Sequence, residues 1–167
     1  GDDMAAQGAP FGDAFVTVFD PALSGDASLI YSTYLGGARA DAGYAIAIDS
    51  VGRAAVTGTT SSSAFPSRNP IGPNPGGKVA FLTTLDTAQA GSGSLVQSTF
   101  LGGSNDQAEG RGLAVDAQGN VYVVGFTRAA DFATINPAQG AYHGGSAGFV
   151  VKGAPAAGQA DLAAPIT

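Results

Sequence analysis

An all-β fold built from repeated four-stranded antiparallel sheets, the blades of a β-propeller, is predicted by three observations. YSTYLGG at 31–37 returns as QSTFLGG at 97–103, and AIAIDSVGRAAVTG at 45–58 returns as GLAVDAQGNVYVVG at 112–125, offsets of 66 and 67 residues. Self-similarity at a fixed period marks a repeated supersecondary unit that buries its apolar faces against neighbouring copies. The 26 glycines and the low charged share of 12%, with an ordinary apolar share of 44%, fit a turn-rich β protein and not a disordered one. Each period also holds four strand-like runs, which suits radially packed four-stranded sheets; a coil of a β-helix is much shorter.

Each complete unit has strands a, b, c and d. Strand a at 45–49 sets Ile46 and Ile48 on one face and Ala45 and Ala47 on the other, so both faces are apolar and the strand is expected between two sheets. A tight turn, SVGR at 50–53 or DAQGN at 116–120, leads into strand b at 54–58. A loop rich in Ser, Pro, Gly and Asn precedes strand c at 79–86; AQAGSGS then turns into strand d at 95–101, which Gly102 and Gly103 end. The chain opens with a c–d pair at 14–20 and 29–35, because Ala14-Phe15-Val16 returns as Ala80-Phe81-Leu82 and Gly148-Phe149-Val150. Residues 161–167 align with strand d of the earlier copy after a one-residue deletion, and Pro165, which cannot donate a ladder hydrogen bond, suits an outermost strand. The count is about two and a half blades: a half blade at 1–42, a complete blade at 43–103 and a second at 104–167 with an atypical last strand.

A net charge of −6 and only two lysines, Lys78 and Lys152, leave no basic stripe for nucleic acid or an anionic membrane surface. No apolar run approaches the ~18 residues of a membrane span, so membrane insertion is not expected. The absence of cysteine excludes disulfides, thiolate catalysis and cysteine-ligated zinc.

The stretches DAFVTVFDP, LIYSTYLGG and IAIDSVGRAAVTGTTSSSAFP, with their second copies, resemble the bacterial SBBP repeat, named for a seven-bladed β-propeller, over about residues 11–152. The resemblance implies extracellular or cell-surface bacterial proteins, often large and modular. It implies no catalytic residues, and at the C-terminal end VVKGAPAAG departs from the pattern.

The loops from strand d to the next strand a are the most polar recurring feature. Asp41, Asn105, Asp106 and Glu109 are there the candidate oxygen ligands for calcium, the one cofactor the sequence suggests. Their spacing fits no EF-hand, and the pattern favours carboxylates that solvate or cap a turn. Asp49 and Asp116 at the end of strand a, and Asp20 and Asp86 at the end of strand c, are expected to accept turn amides. The lone His143 has no evident catalytic partner and reads as a loop residue. Phe15, Phe81 and Phe149 recur at one strand position, and Phe65 and Phe132 in the b–c loops; inter-blade packing is expected over a sugar platform. Tyr44, Tyr122 and Tyr142 do not recur and are freer for a surface role. The long b–c loops are the best binding or assembly surface by length.

The expected function is a non-enzymatic structural or adhesion module, extracellular or on the bacterial cell surface. The half blade leaves the edge of strand c open, so identical subunits, in a ring or filament, or adjacent blades of a longer chain are the expected partners. The alternative is part of a carbohydrate-binding or carbohydrate-active propeller, a lyase or hydrolase drawing its acid and base from Asp41, Asp106 and Glu109. Binding of a glycan or surface ligand without turnover is a third reading.

Overall fold

The computed structural model describes residues 12–104, 107–134 and 137–154. Strands β1 (Ala14–Phe19) and β2 (Leu29–Leu35) form a first antiparallel sheet. Strands β3 (Asp41–Ile48), β4 (Ala54–Thr60), β5 (Val79–Leu85) and β6 (Leu95–Leu101) form a second sheet in that order. Strands β7 (Glu109–Val115), β8 (Val121–Thr127) and β9 (Ala147–Gly153) form a third. All pairings between neighbours are antiparallel, and the sheets are the propeller-type blades the repeat predicts. The last strand expected, at 161–167, lies outside the described residues.

Strand a is longer than its apolar core suggests, beginning at Asp41 and Glu109 rather than at 45 and 112. The reason is a β-bulge after Gly43 and again after Gly110, which lets the ladder continue past the glycine and leaves Tyr44 and Arg111 as the extra residues. Gly58 and Gly125 lie opposite these bulges, and a Cβ at either would run into the carbonyl oxygen of Ala42 or Glu109. The glycines shared by the two copies of strand b are therefore a condition of the bulge.

The sheets pack face to face through two apolar clusters. Between the first and second lie Ala14, Val16 and Leu35 with Ala54, Val56, Phe65, Phe81 and Leu85. Between the second and third lie Ala55, Ala80, Leu82 and Leu101 with Val121, Val123, Phe149 and Val151. Alternation along each strand divides its residues between the two interfaces: Phe81 faces the first sheet and its neighbours Ala80 and Leu82 face the third. Successive sheets are also stitched at one end, where Asp41 N–H donates to Gly12 O at 2.8 Å and Ala108 N–H to Lys78 O at 3.1 Å.

Two expectations are corrected. Phe15 is 71% exposed, whereas Phe81 and Phe149 are 0% and 8% exposed. The first sheet turns Ala14 and Val16 to the second and Phe15 away from it, toward a side where no described sheet lies. Ile46 and Ile48, expected between two sheets, are 56% and 58% exposed. They share a face with Val56 and Ala54, their ladder partners, but among the described residues the first sheet has the two strands β1 and β2, which do not cover them.

Candidate functional site

The strand ends are held by a repeated set of carboxylates. Asp49 Oδ1 accepts from Val51 N–H at 3.0 Å and Arg53 N–H at 2.9 Å, while Arg53 Nε donates to Oδ2 at 2.6 Å. One repeat later Asp116 Oδ1 accepts from Gln118 and Asn120 N–H, and Oδ2 from the Asn120 side chain and the Tyr122 hydroxyl. Gly52 and Gly119 supply the positive φ these turns require, 89° and 83°. Asp20 and Asp86 cap the c–d turns in the same way, accepting from Ala22 and Ala88 N–H. These four aspartates have the structural role expected of them.

Burial pushes the Asp49 carboxyl up, but hydrogen bonds from Arg53 and Val51 and the Arg53 charge outweigh it, so the group titrates below the ordinary 3.8. Asp116 is lowered chiefly by the Asn120 side chain, against a smaller desolvation and with help from the Asn120, Tyr122 and Gln118 donors. Both are committed to hold charge as turn acceptors, which is the opposite of a poised general acid.

Of the four candidate calcium ligands, Asn105 and Asp106 lie outside the described residues. Asp41 is buried, and its Oδ2 accepts from Ser62 Oγ at 2.7 Å and Gly37 N–H at 2.8 Å. Its Oδ1 has no partner among the described residues. Glu109 is buried in ion pairs with Lys78 and Arg111, which neutralise it from two sides. Among the described residues no three carboxylate or histidine side chains gather as a metal site.

Three polar features are additional to the sequence expectations. Asp131 on the second b–c loop accepts from the backbone and hydroxyl of Ser104, and these bonds, the hydroxyl's first, hold its carboxyl below the ordinary value. Ser62 joins Asp41 to the d–a loop, accepting from Arg39 N–H at 2.9 Å. The two bulge residues stack across adjacent sheets, with the Arg111 guanidinium 4.7 Å from the Tyr44 ring centroid and 5.7 Å from that of Phe126. Tyr44 and Arg111 stand one period of 67 apart in the chain, and that coincidence was the available signal.

The b–c loops behave differently from each other. The first is closed: Phe65 packs on Phe81 with centroids 4.6 Å apart, and Arg68 bridges to Ser98 in both directions, so the loop lies along β6. In the second, Phe132 stacks on Phe149 at 4.8 Å, and the loop and β9 line a hollow of 560 Å³. His143 lies on its wall, exposed, as a loop residue. Tyr142 there donates to Gly145 O, Tyr122 serves Asp116, and Tyr44 on β3 is 41% exposed with the Arg111 guanidinium over its ring.

No curated protein matches this chain. The family model of the SBBP beta-propeller repeat matches residues 30–66 and 98–133. Each match begins in the outermost strand of one sheet, crosses to the next sheet, runs through its first two strands and ends just after the phenylalanine of the b–c loop. The sequence unit thus straddles two sheets, and the stitch from one sheet to the next lies inside it. The two matches hold β3, β4, β7 and β8 with most of β2 and β6, and over these stretches the chain is similar to the SBBP beta-propeller repeat.

Proposed function

We propose that this chain is a non-enzymatic structural module of an extracellular or bacterial cell-surface protein, acting in adhesion or assembly, whose stack of sheets is completed by identical chains or by further blades. The observation that carries the reading is the pair of apolar faces at the two ends of the stack. At one end Phe15, Phe19 and Tyr34 are exposed; at the other are Val124 and Val150. The equivalents of Phe15, Phe19 and Val150 inside the stack, Phe81, Leu85 and Leu82, are buried: Leu82, one period before Val150, is 4% exposed against 47%. The free faces are thus the two halves of the interface that the chain already makes twice, and a head-to-tail contact would reproduce it. A rotation that closes gives a ring, and one that does not gives a filament.

The non-enzymatic reading is supported by the engagement of the described carboxylates: Asp49 and Asp116 accept turn donors that lower their carboxyls, and Glu109 is ion-paired with Lys78 and Arg111. The surface location rests on the family resemblance. Analytical ultracentrifugation over a concentration series is the test: species of two or more chains are expected, and Phe15→Asp or Val150→Asp should each reduce them to monomer. A monomer at every concentration would refute self-assembly.

Glycan binding is favoured over glycan cleavage as the second reading by one feature, the exposed Tyr44 ring beside the Arg111 guanidinium. The ring is 41% exposed with Arg111 stacked over it, and a partly exposed aromatic side chain suits a sugar. A glycan array with Tyr44→Ala as control checks it; binding that survives the substitution would remove this site.

A further inference from the structure

From the pairing of the first b–c loop with the outer edge of β6, we infer that residues 65–71 are a strap that closes this edge against the addition of a foreign strand. The strap acts within one chain and does not depend on how the stack of sheets is completed.

β6 is the outermost strand of the second sheet, with β5 as its only neighbour in the sheet order. An outermost strand presents a row of N–H and C=O groups to any extended chain that arrives. The sequence LVQSTFL has no charge and no proline and is rich in β-forming residues, so its bare backbone would be a good template. Its cover is the chain's own loop. Arg68 N–H donates to Ser98 O at 3.2 Å and Ser98 N–H to Arg68 O at 2.9 Å, a reciprocal antiparallel pair. Because both main-chain groups of Ser98 face outward, Ser98 stands opposite Thr83 as a non-hydrogen-bonded pair, and there the two hydroxyls meet at 2.8 Å. The Arg68 guanidinium reaches back to the start of the strand, donating to Leu95 O at 2.7 Å and to Ser92 O at 3.4 Å.

Both ends of the strap are fastened. Phe65 is buried on Phe81 and stands edge-on to Phe100, with centroids 6.2 Å apart, while Ile71 N–H donates to Thr99 Oγ1 at 2.9 Å. The strap is also built so that it does not become a new edge. Its pairing with β6 is a single bridge. In that register the next outward-facing residue of β6, Phe100, stands opposite Pro66, which has no N–H to donate. On the other side the strap leaves the edge at Asn69, whose φ of 48° is left-handed, and Pro70 follows. A segment with a proline two residues to either side of its one paired residue, and an exposed arginine at that residue, gives an incoming strand nothing to extend.

The test compares the full chain with a variant in which residues 66–70 are replaced by Gly-Ser-Gly-Ser-Gly, which keeps the loop length and the Phe65 anchor. Amide hydrogen exchange is measured, together with binding of a fluorescent peptide that carries the β6 sequence LVQSTFL between flanking lysines. In the variant the Ser98 amide, which faces the strap, is expected to exchange at least ~10-fold faster, while the amides of Gln97 and Thr99, which face β5, stay protected. The peptide is expected to bind the variant saturably below ~100 μM and to leave the parent chain unbound at that concentration. Equal exchange of Ser98 in the two proteins, or a peptide that binds both alike or neither, would overturn the inference. Circular dichroism checks that the variant folds. Where it does not, Arg68→Ala decides, because that side chain is exposed and its loss leaves the core untouched. Exchange at least ~3-fold faster at Ser98, with Gln97 and Thr99 unmoved, supports the strap, and unchanged exchange at Ser98 removes it.

Discussion

Asp41 and Ser62 have no polar counterparts one repeat later, where Ala108 and Ala129 stand, both buried. The carboxylate has moved: Asp131 stands where the earlier copy has Ala64, and it serves the amide of Ser104 much as Asp41 serves that of Gly37. Two positions thus supply the same need, a negative acceptor for the loop between sheets. Removing one member of a buried hydrogen-bonded set costs the desolvation of what is left, whereas exchanging the whole set need not. Asp41→Ala alone is expected to destabilise by ~1–3 kcal/mol in urea unfolding, and the Asp41→Ala, Ser62→Ala, Ala64→Asp combination by clearly less. Equal losses would show that the two loops are not interchangeable. The lowered carboxyls set a pH dependence. Asp49, Asp116 and Asp131 have folded-state values below 3.8, so their stabilisation is complete above that value and is lost as pH falls through the folded values. The melting temperature should fall as pH drops below about 4, and Asp49→Asn should flatten the fall.

Strand b and the b–c loop show how an element is specified by its neighbours. Phe65 adds an aromatic layer to Phe81, and Phe132 to Phe149, so each long loop is tied to the strand that follows it. Phe81→Ala is expected to cost ~3–5 kcal/mol in denaturant unfolding, against under ~0.5 kcal/mol for Phe15→Ala in the monomer. A large loss for Phe15→Ala in the monomer would mean that its face is covered. Gly58→Ala places a methyl against a backbone carbonyl and should cost ~2 kcal/mol or more, because that atom cannot swing aside as a side chain could. The strands themselves were legible from alternation and recurrence. The bulges were not, since a bulge is a relation between two strands and Gly43-Tyr44 reads locally as more strand. Asp131 was hidden for a similar reason: its partner Ser104 is 27 residues away in sequence, and neither residue repeats.

For the whole molecule, the two internal interfaces act as references against which the free faces can be judged. Phe15, Ile46, Ile48 and Val150 are each exposed where an equivalent is covered or partly covered by a neighbouring sheet. The same side chain in the same strand position gains or loses ~1.5–3 kcal/mol of burial according to what lies beside the sheet. By itself, the sequence determined the repeat, the strand order within a sheet and the capping aspartates, because periodicity and turn chemistry are local in the chain. Only the tertiary structure decided which copy of each recurring residue is buried, where Asp41 and Glu109 spend their charge, and that the two bulge residues stack across sheets. Those depend on contacts between strands far apart in the chain, and a sequence repeat reports equivalence of position without reporting what each copy has for a neighbour.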